Sequence, residues 1–467
     1  MARKKKTVQD VTITGIADRG KAVGRQPDGA VCFVDGAVPG DVVDVLILRK
    51  KKSYGQGVVT AFKKYSEDRI KPTCDHFGVC GGCKWQNLSY EAQLRHKQQV
   101  IVDAMSRIGH LPTSIIKPII GSELTYHYRN KLEYSFSSKR WLTEEEVKSD
   151  EEIINEGALG FHRAGAFDKV VKIDSCKLQE AFTDTLRNYI RDFCKNNDYS
   201  YYDVRNHHGL MRNMIFRNNL SGEWMVNIIF GRDDVEKRTL LLDDLVQNFP
   251  RIKSLHYMIN EKKNDSIYDL DAHHYHGDPY LIETLGDRKF QIGPKSFFQT
   301  NTTQAKILYD VAAEMAELTS TDNVYDLYTG LGSIALYIAD KCDHVTGIEE
   351  VEAAIFDAHQ NMKLNNIENA TFYAGDVKNI LTPEFAKRHG KADVVITDPP
   401  RAGMHGDVVK TLLDLAPPRI VYVSCNPSTQ ARDLALLSEK YETTAIQGVD
   451  MFPHTHHVES VALLKLK

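Results

Sequence analysis

Two apolar runs in the C-terminal third of the chain end on groups that can do chemistry. "VVITDPPRAGM" delivers a carboxylate, Asp398, followed by two prolines, and "IVYVSCNPSTQ" delivers a thiol, Cys425, followed by Asn426-Pro427. Such runs read as strand ends in an open α/β sheet, whose ligands gather at the carboxyl edge. A lone cysteine ending an apolar strand is more often a packed core residue. The Asn-Pro pair confines the chain after Cys425 to an exposed turn and tips the reading toward an accessible thiol. Its thiolate is a strong nucleophile but a minor species near neutral pH, so a site that uses it should lower its pKa or supply a base.

A second constellation lies upstream. "VYDLYTGLGSIALYIA" reads as strand, glycine turn and helix, with Gly330 and Gly332 letting a ligand approach the backbone. Glu349 ends the next strand, where a carboxylate can accept both hydroxyls of a ribose. "GLGSIA" also satisfies the dinucleotide pattern, so a nicotinamide oxidoreductase is a rival reading. Against it, acidic residues close four successive strands: Asp326, Glu349, Asp376 and Asp398. They suit ribose hydroxyls, an adenine amino group and a cationic centre, and they suit a pyrophosphate poorly. S-adenosylmethionine has those features. Alternatively each acid caps the following helix, a sound reading for one of them and a weak one for all four.

Third, Cys74-x5-Cys80-x2-Cys83 places three thiols in one loop, with two glycines between the last two so that the backbone can close around a metal group. A fourth ligand is needed. An iron–sulfur cluster and a four-cysteine zinc site both fit the spacing. "HTHH" (His454, His456, His457) has no acidic or thiol partner at ligand spacing and reads as polar packing.

The elements that must position these groups fall into three parts. With 467 residues, 42% hydrophobic and 26% charged, the chain has room for about three domains. Residues 8–62 alternate short β-rich runs with glycine turns, the pattern of a small OB-like barrel. This end is basic: residues 1–71 hold 15 Lys+Arg against 8 Asp+Glu, the rest 44 against 55, a segregation that favours nucleic acid as partner although lone basic runs are often only solvated. "SYEAQLRHKQQVIVDAMSRIG" reads as an amphipathic helix. An α+β region follows, with strands "KLEYSFS", "NMIFRN" and "WMVNIIF", a helix in "LQEAFTDTLRNYIRDFCKN" and a surface loop in "TEEEVKSDEEIINEG". From Gln291 strands and helices alternate, the rhythm of a Rossmann-like, parallel-rich sheet. No stretch approaches a membrane span, and the basic start lacks an apolar signal region, so a cytoplasmic protein is expected. Cys32, Cys194 and Cys342 read as packing residues.

Taken together, "DPPRAG", "VSCNPSTQARDL", "FFQTN" and "FPHTHHVESVALL" resemble the RNA uracil-C5 methyltransferases of the TrmA/RumA type, and within them the 23S rRNA branch. The resemblance covers nearly the whole chain. It implies a TRAM barrel over 1–67, an α+β domain with the cysteine cluster over 68–290 (linker helix 89–109), and a methyltransferase domain over 291–467. It also implies Cys425 as the nucleophile that adds to uracil C6, Glu459 as the base for the C5 proton, and Asp398 and Arg401 as residues that hold the uracil. Gln299, Tyr328, Glu349 and Asp376 would contact S-adenosylmethionine, with Asp398 nearby, and Phe297 or Phe298 would hold a base that has left its stack. Cys176 would complete a four-cysteine [4Fe–4S] site with Cys74, Cys80 and Cys83, zinc being the lesser alternative. The expected partner is 23S rRNA, neither DNA nor membrane, and the chain is expected to act as a monomer. "DLYTG" departs from the family's "DLFCG" or "DLYCG", and Ser333 stands where many relatives carry Asn. A tRNA substrate is the alternative, which an enzyme lacking the barrel would favour; a catalytically silent RNA-binding protein is a further one. Arg129-Asn130-Lys131, in "YHYRNKLEYSF", has no role readable from sequence.

Overall fold

The structure, a computed structural model, describes residues 6–17, 20–26, 28–51, 54–149 and 156–467. Strands Thr7–Ile16, Ala22–Arg25, Val31–Asp35, Val42–Lys50 and Tyr54–Lys64 close a barrel in the ring order first, second, third, fifth, fourth. Alternation fills it: Val11, Ile13, Cys32, Val34, Val43 and Val45 point inward and are buried together. Asp41, fully buried, accepts from the Val38 and Ser66 amides at 2.8 and 2.9 Å and pairs with Arg69 at 2.6 Å, so its charge is compensated. The two basic runs lie partly outside the described residues.

Ser89 caps the helix Tyr90–Arg107, whose buried face packs on the helix Pro427–Leu437 and the strand Tyr441–Val449. The next strand, Ile116–Ile120, pairs in parallel with Tyr441–Val449. Residues 90–120 therefore build onto the C-terminal sheet although they precede the middle region in sequence.

The middle region is a seven-stranded sheet in the order His273–Gly277, Ile252–Ile259, Trp224–Phe230, Met211–Asn218, Lys131–Ser137, Ala158–Arg163, Ala166–Lys172. Helices Phe182–Asn196 and Val235–Asn248 share one core with it, and Cys194 packs there. The expected acidic loop is in part a short helix, Glu144–Lys148; residues 150–155 lie outside the described set.

Eight strands form the C-terminal sheet, in the order Ala370–Ala374, His344–Glu349, Asn323–Leu327, Val394–Thr397, Arg419–Ser424, Glu459–Leu466, Tyr441–Val449, Ile116–Ile120. The first five are mutually parallel, and Glu459–Leu466 runs antiparallel to both its neighbours. Both faces are covered, so the strands read as continuous apolar runs: Val324, Ile396 and Val421 join the core of one face, Tyr325, Val395 and Tyr422 that of the other. The hairpin Leu281–Leu285 with Arg288–Ile292 packs Phe290 and Ile292 into the first of these cores. No described helix is long and apolar enough to cross a membrane.

Candidate active site and cysteine cavity

The strand Asn323–Leu327 ends in a tight turn with Tyr328, Gly330 and Gly332 at positive φ (65, 58 and 84°). The helix Ser333–Ile338 starts there, and a Cβ on Gly332 would lie 3.1 Å from the Phe372 ring, a second reason for glycine. The Glu349 carboxylate accepts from the Gly330 amide at 3.1 Å and the Val351 amide at 3.0 Å, which fixes it at the strand end. Asp376 accepts from the Lys378 amide and pairs with the Lys378 ammonium at 2.8 Å; that hydrogen bond lowers its pKa. Asp326 is buried and accepts from Thr329 and from the Ala335 amide. The capping alternative thus holds for Asp376 and in part for Asp326, and Asp398 does not follow it.

The thiol and the second carboxylate come together through strand register. Ser424 pairs with Ser460, so the next residues outward, Cys425 and Glu459, leave two adjacent antiparallel strands side by side. Asp398 follows the neighbouring strand Val394–Thr397. Asn426 caps the helix Pro427–Leu437 with its side-chain oxygen, and its Nδ2 donates to the Arg401 carbonyl at 3.0 Å, tying the thiol loop to the Asp398 loop. The Arg401 guanidinium contacts His457 Nδ1 at 3.1 Å.

Burial sets the electrostatics of this edge. It pushes Glu459 up to about 8, with Asp398 adding and Arg401 opposing. Asp398 rises to about 7, first from burial and then from Asp326, and Asp326 itself to about 7 by burial. Cys425 is pushed up to about 11 by burial and by the Glu459 and Asp398 charges, against Arg401. Of the two expected alternatives, a lowered thiol pKa or a neighbouring base, the first does not hold in the free protein, and acids of raised pKa stand beside the thiol instead.

Cys425, Glu459, Asp398 and Arg401 line one cavity of about 960 Å³, together with Gln299, Tyr328, Asp376, Glu349 and Phe297. Phe297 is exposed at its rim, whereas Phe298 is buried against Phe290 and drops out as a base holder. Ser333 also lines the cavity and shares a hydrogen bond of 2.9 Å with the buried Tyr309 hydroxyl. Nothing in the sequence marked Tyr309, because a tyrosine on an apolar helix reads as core. Asn130 acquires a role: its Nδ2 donates to the Gln299 carbonyl and to Thr302 Oγ1, both at 2.9 Å, and so holds the "FFQTN" loop in place.

Cys74, Cys80, Cys83 and Cys176, all free thiols, line a second cavity of about 480 Å³ that shares Arg129, Thr300 and His457 with the first. The cysteine loop is fastened on both sides. Cys80 bridges to Arg163 of the middle sheet, and the Lys84 and Trp85 amides donate to the His454 carbonyl at 2.8 and 3.1 Å. A Cβ on Gly81 would lie 2.7 Å from the His162 carbonyl, so only glycine fits against that strand. Burial pushes Cys83 up to about 12 and Cys176 to about 11. Among the described residues no three His, Cys, Asp or Glu converge on a point that could hold a single metal ion. The four cysteines expected to ligate a [4Fe–4S] cluster, or zinc, line one cavity. The "HTHH" histidines make no metal site either; His454 stacks on Tyr126 and accepts or donates at Gln93.

A glycine turn between parallel strands, acidic strand ends and a thiol in one cavity define a Rossmann-like methyltransferase domain, here joined to a small barrel. Residues 210–467 match the tRNA (uracil-5-)-methyltransferase family and residues 2–60 the TRAM domain; the chain belongs to that family. An uncharacterized RNA methyltransferase of Bacteroides thetaiotaomicron is 50% identical over 97% of this chain and 100% of its own length, and one of Chlorobaculum tepidum is 39% identical over 98% and 96%. The crystal structure of Pyrococcus abyssi tRNA (uracil-54, C5)-methyltransferase in complex with S-adenosyl-L-homocysteine is similar over 97% of this chain and 99% of that one, with TM-score 0.74 and 28% identity. That span is too great to omit the barrel, so a barrel does not by itself separate rRNA from tRNA enzymes. Family membership sets aside the nicotinamide reading.

Proposed function

We propose that the protein methylates C5 of a uridine in RNA, with S-adenosylmethionine as donor and 23S rRNA as substrate, in the cytoplasm. The observation that carries this reading is the placement of Cys425, Glu459, Asp398 and Arg401 in the same cavity as the glycine turn and Glu349. Uracil C5 is a poor nucleophile. The Cys425 thiolate adds to C6 and makes C5 an enolate carbon able to take the methyl group. Bound S-adenosylmethionine supplies that methyl from its sulfonium. The Glu459 carboxylate then removes the C5 proton, the C6–S bond breaks and the thiolate departs with its electron pair. A buried carboxyl raised to about 8 is well matched to this proton transfer near neutral pH. Arg401 opposes the rise of both pKa values and favours the charged forms. Gln299, Tyr328, Glu349 and Asp376 bind the donor, and Phe297, Asp398 and Arg401 hold the flipped base.

Cys74, Cys80, Cys83 and Cys176 hold a [4Fe–4S] cluster in this reading. The support for it is that the four thiols line one cavity. It would shape the wall between the cysteine loop and the catalytic cavity, since methyl transfer itself moves no electron through it.

A tRNA substrate is the second reading, favoured by the Pyrococcus abyssi enzyme. Methyl transfer from labelled S-adenosylmethionine to unmodified 23S rRNA and tRNA transcripts tests the choice. Label as 5-methyluridine in 23S rRNA alone supports the proposal, label in tRNA alone overturns the substrate, and label in neither overturns the function.

A further inference from the structure

The loop 260–272, between the strands Ile252–Ile259 and His273–Gly277, belongs to the middle sheet yet reaches the catalytic cavity. It is unusually well held. The buried Arg212 guanidinium donates to the carbonyls of Asn260, Lys262 and Asn264 at 2.6, 2.6 and 2.7 Å and pairs with Asp265 at 2.9 Å. Ile267 and Leu270 pack inward on Ile215, Ile229 and Met258. From the opposite side, Lys295 donates to the Tyr268 carbonyl at 3.1 Å and the Leu270 carbonyl at 2.8 Å.

Between those anchors the Tyr268 side chain is 70% exposed, and it lines the same cavity as Phe297, which is 68% exposed. A fixed backbone presenting a free aromatic face is preorganised to stack on a flat ring. The carboxylates that suit the methyl donor, Glu349 and Asp376, are on the sheet edge; the loop that carries Tyr268 sets Lys262 and Lys263 against Glu261, Asp265, Asp269 and Asp271, and Lys262 pairs with Asp269, so the exposed ring and not charge selects its ligand. An exposed ring on a fixed loop beside the cavity matches a base of single-stranded RNA, since such stacking tolerates any base.

We propose that Tyr268 is a substrate-binding residue that stacks on an RNA base flanking the reacting uridine, so that the middle sheet helps to read the RNA strand entering the cavity. The inference rests on the proposed RNA substrate but not on catalysis. The test is a binding titration of the full-length protein with the 23S rRNA and tRNA transcripts, alongside S-adenosylhomocysteine binding and thermal melting. Tyr268→Ala should weaken the better-bound transcript about tenfold, the scale of one lost base–aromatic stack, and leave S-adenosylhomocysteine affinity and Tm unchanged. Tyr268→Phe, which keeps the ring, should restore RNA affinity. Tyr268→Leu, bulky but without a π face, should behave as the alanine variant does and guards against a disturbed loop. Unchanged RNA affinity in the alanine and leucine variants, or a loss confined to S-adenosylhomocysteine, overturns the proposal. A wild-type protein that binds RNA but transfers no methyl group would defeat the proposed reaction while leaving the Tyr268 result readable.

Discussion

Asp326, Asp398 and Glu459 crowd three carboxyls onto one sheet edge, and all three hold their protons more tightly than a solvated acid does. For Glu459 the rise from 4.5 to about 8 means that the folded protein binds a proton the unfolded chain has released. Its stabilising contribution is complete below about pH 4.5 and is lost as pH climbs through 8, at roughly 1.4 kcal/mol per unit inside that window. Replacing it by its neutral isostere removes that loss: Glu459→Gln should gain stability over the wild type at pH 8.5 and show little difference at pH 5, read from urea midpoints. An equal gap at both pH values would contradict the burial argument. At this scale the sequence was partly legible. Cys425 and Asp398 announced themselves as reactive groups ending apolar runs, because strand ends are local features. The raised thiol pKa was not legible, since it comes first from burial and then from carboxylates that are near only through register. Tyr268 and Tyr309 were equally hidden, for no local pattern distinguishes a cavity-lining tyrosine from a packed one.

The helix Tyr90–Arg107 illustrates how a distant element positions the site. Lys97 on its buried face meets Asp450 at 2.6 Å, both side chains fully buried, and Asp450 also accepts from the Tyr90 hydroxyl and the Phe452 amide at 3.0 Å each. Asp450 ends the strand region that leads through Phe452 and His457 to Glu459. Lys97→Met would leave the Asp450 charge buried without its counter-ion and should destabilise the protein by about 3–5 kcal/mol, while pairing it with Asp450→Asn should recover part of the loss. A single variant as stable as the wild type would show that the pair does not lock this segment. The helix itself was legible from its amphipathic periodicity. So was the alternation of strands and helices that builds the parallel part of the C-terminal sheet. The strand Ile116–Ile120 and its place at the sheet edge were not, because pairing across more than three hundred residues leaves no local trace. The middle sheet was read only at its most apolar strands; Ala158–Arg163 and His273–Gly277 carry glycine and histidine and lack clear alternation.

Across the whole molecule, the barrel, the cysteine loop and the C-terminal sheet meet at residues 452–457. The Trp85 indole donates to the Gly20 carbonyl at 3.1 Å, and a Cβ on Gly20 would lie 2.8 Å from His456 Cβ, so the barrel rests directly on the segment that carries His457. RNA held by a basic barrel would thus be delivered beside the cavity, with affinity falling steeply with salt as phosphate contacts require. Arg129, Thr300 and His457 wall both cavities, which gives the cysteine group a structural route to the site. Protein purified without oxygen should contain iron and acid-labile sulfide, and Cys176→Ala should lose both; zinc in their place, or no metal at all, would contradict the cluster. The most direct test of the account is a denaturing gel of Glu459→Gln incubated with S-adenosylmethionine and the RNA transcript that accepts methyl groups. Without the base the C5 proton stays, the C6–S bond cannot break, and a covalent protein–RNA band should accumulate that is absent when Cys425→Ser is added. Full methyl transfer by Glu459→Gln with no adduct, or an adduct that survives Cys425→Ser, would contradict it.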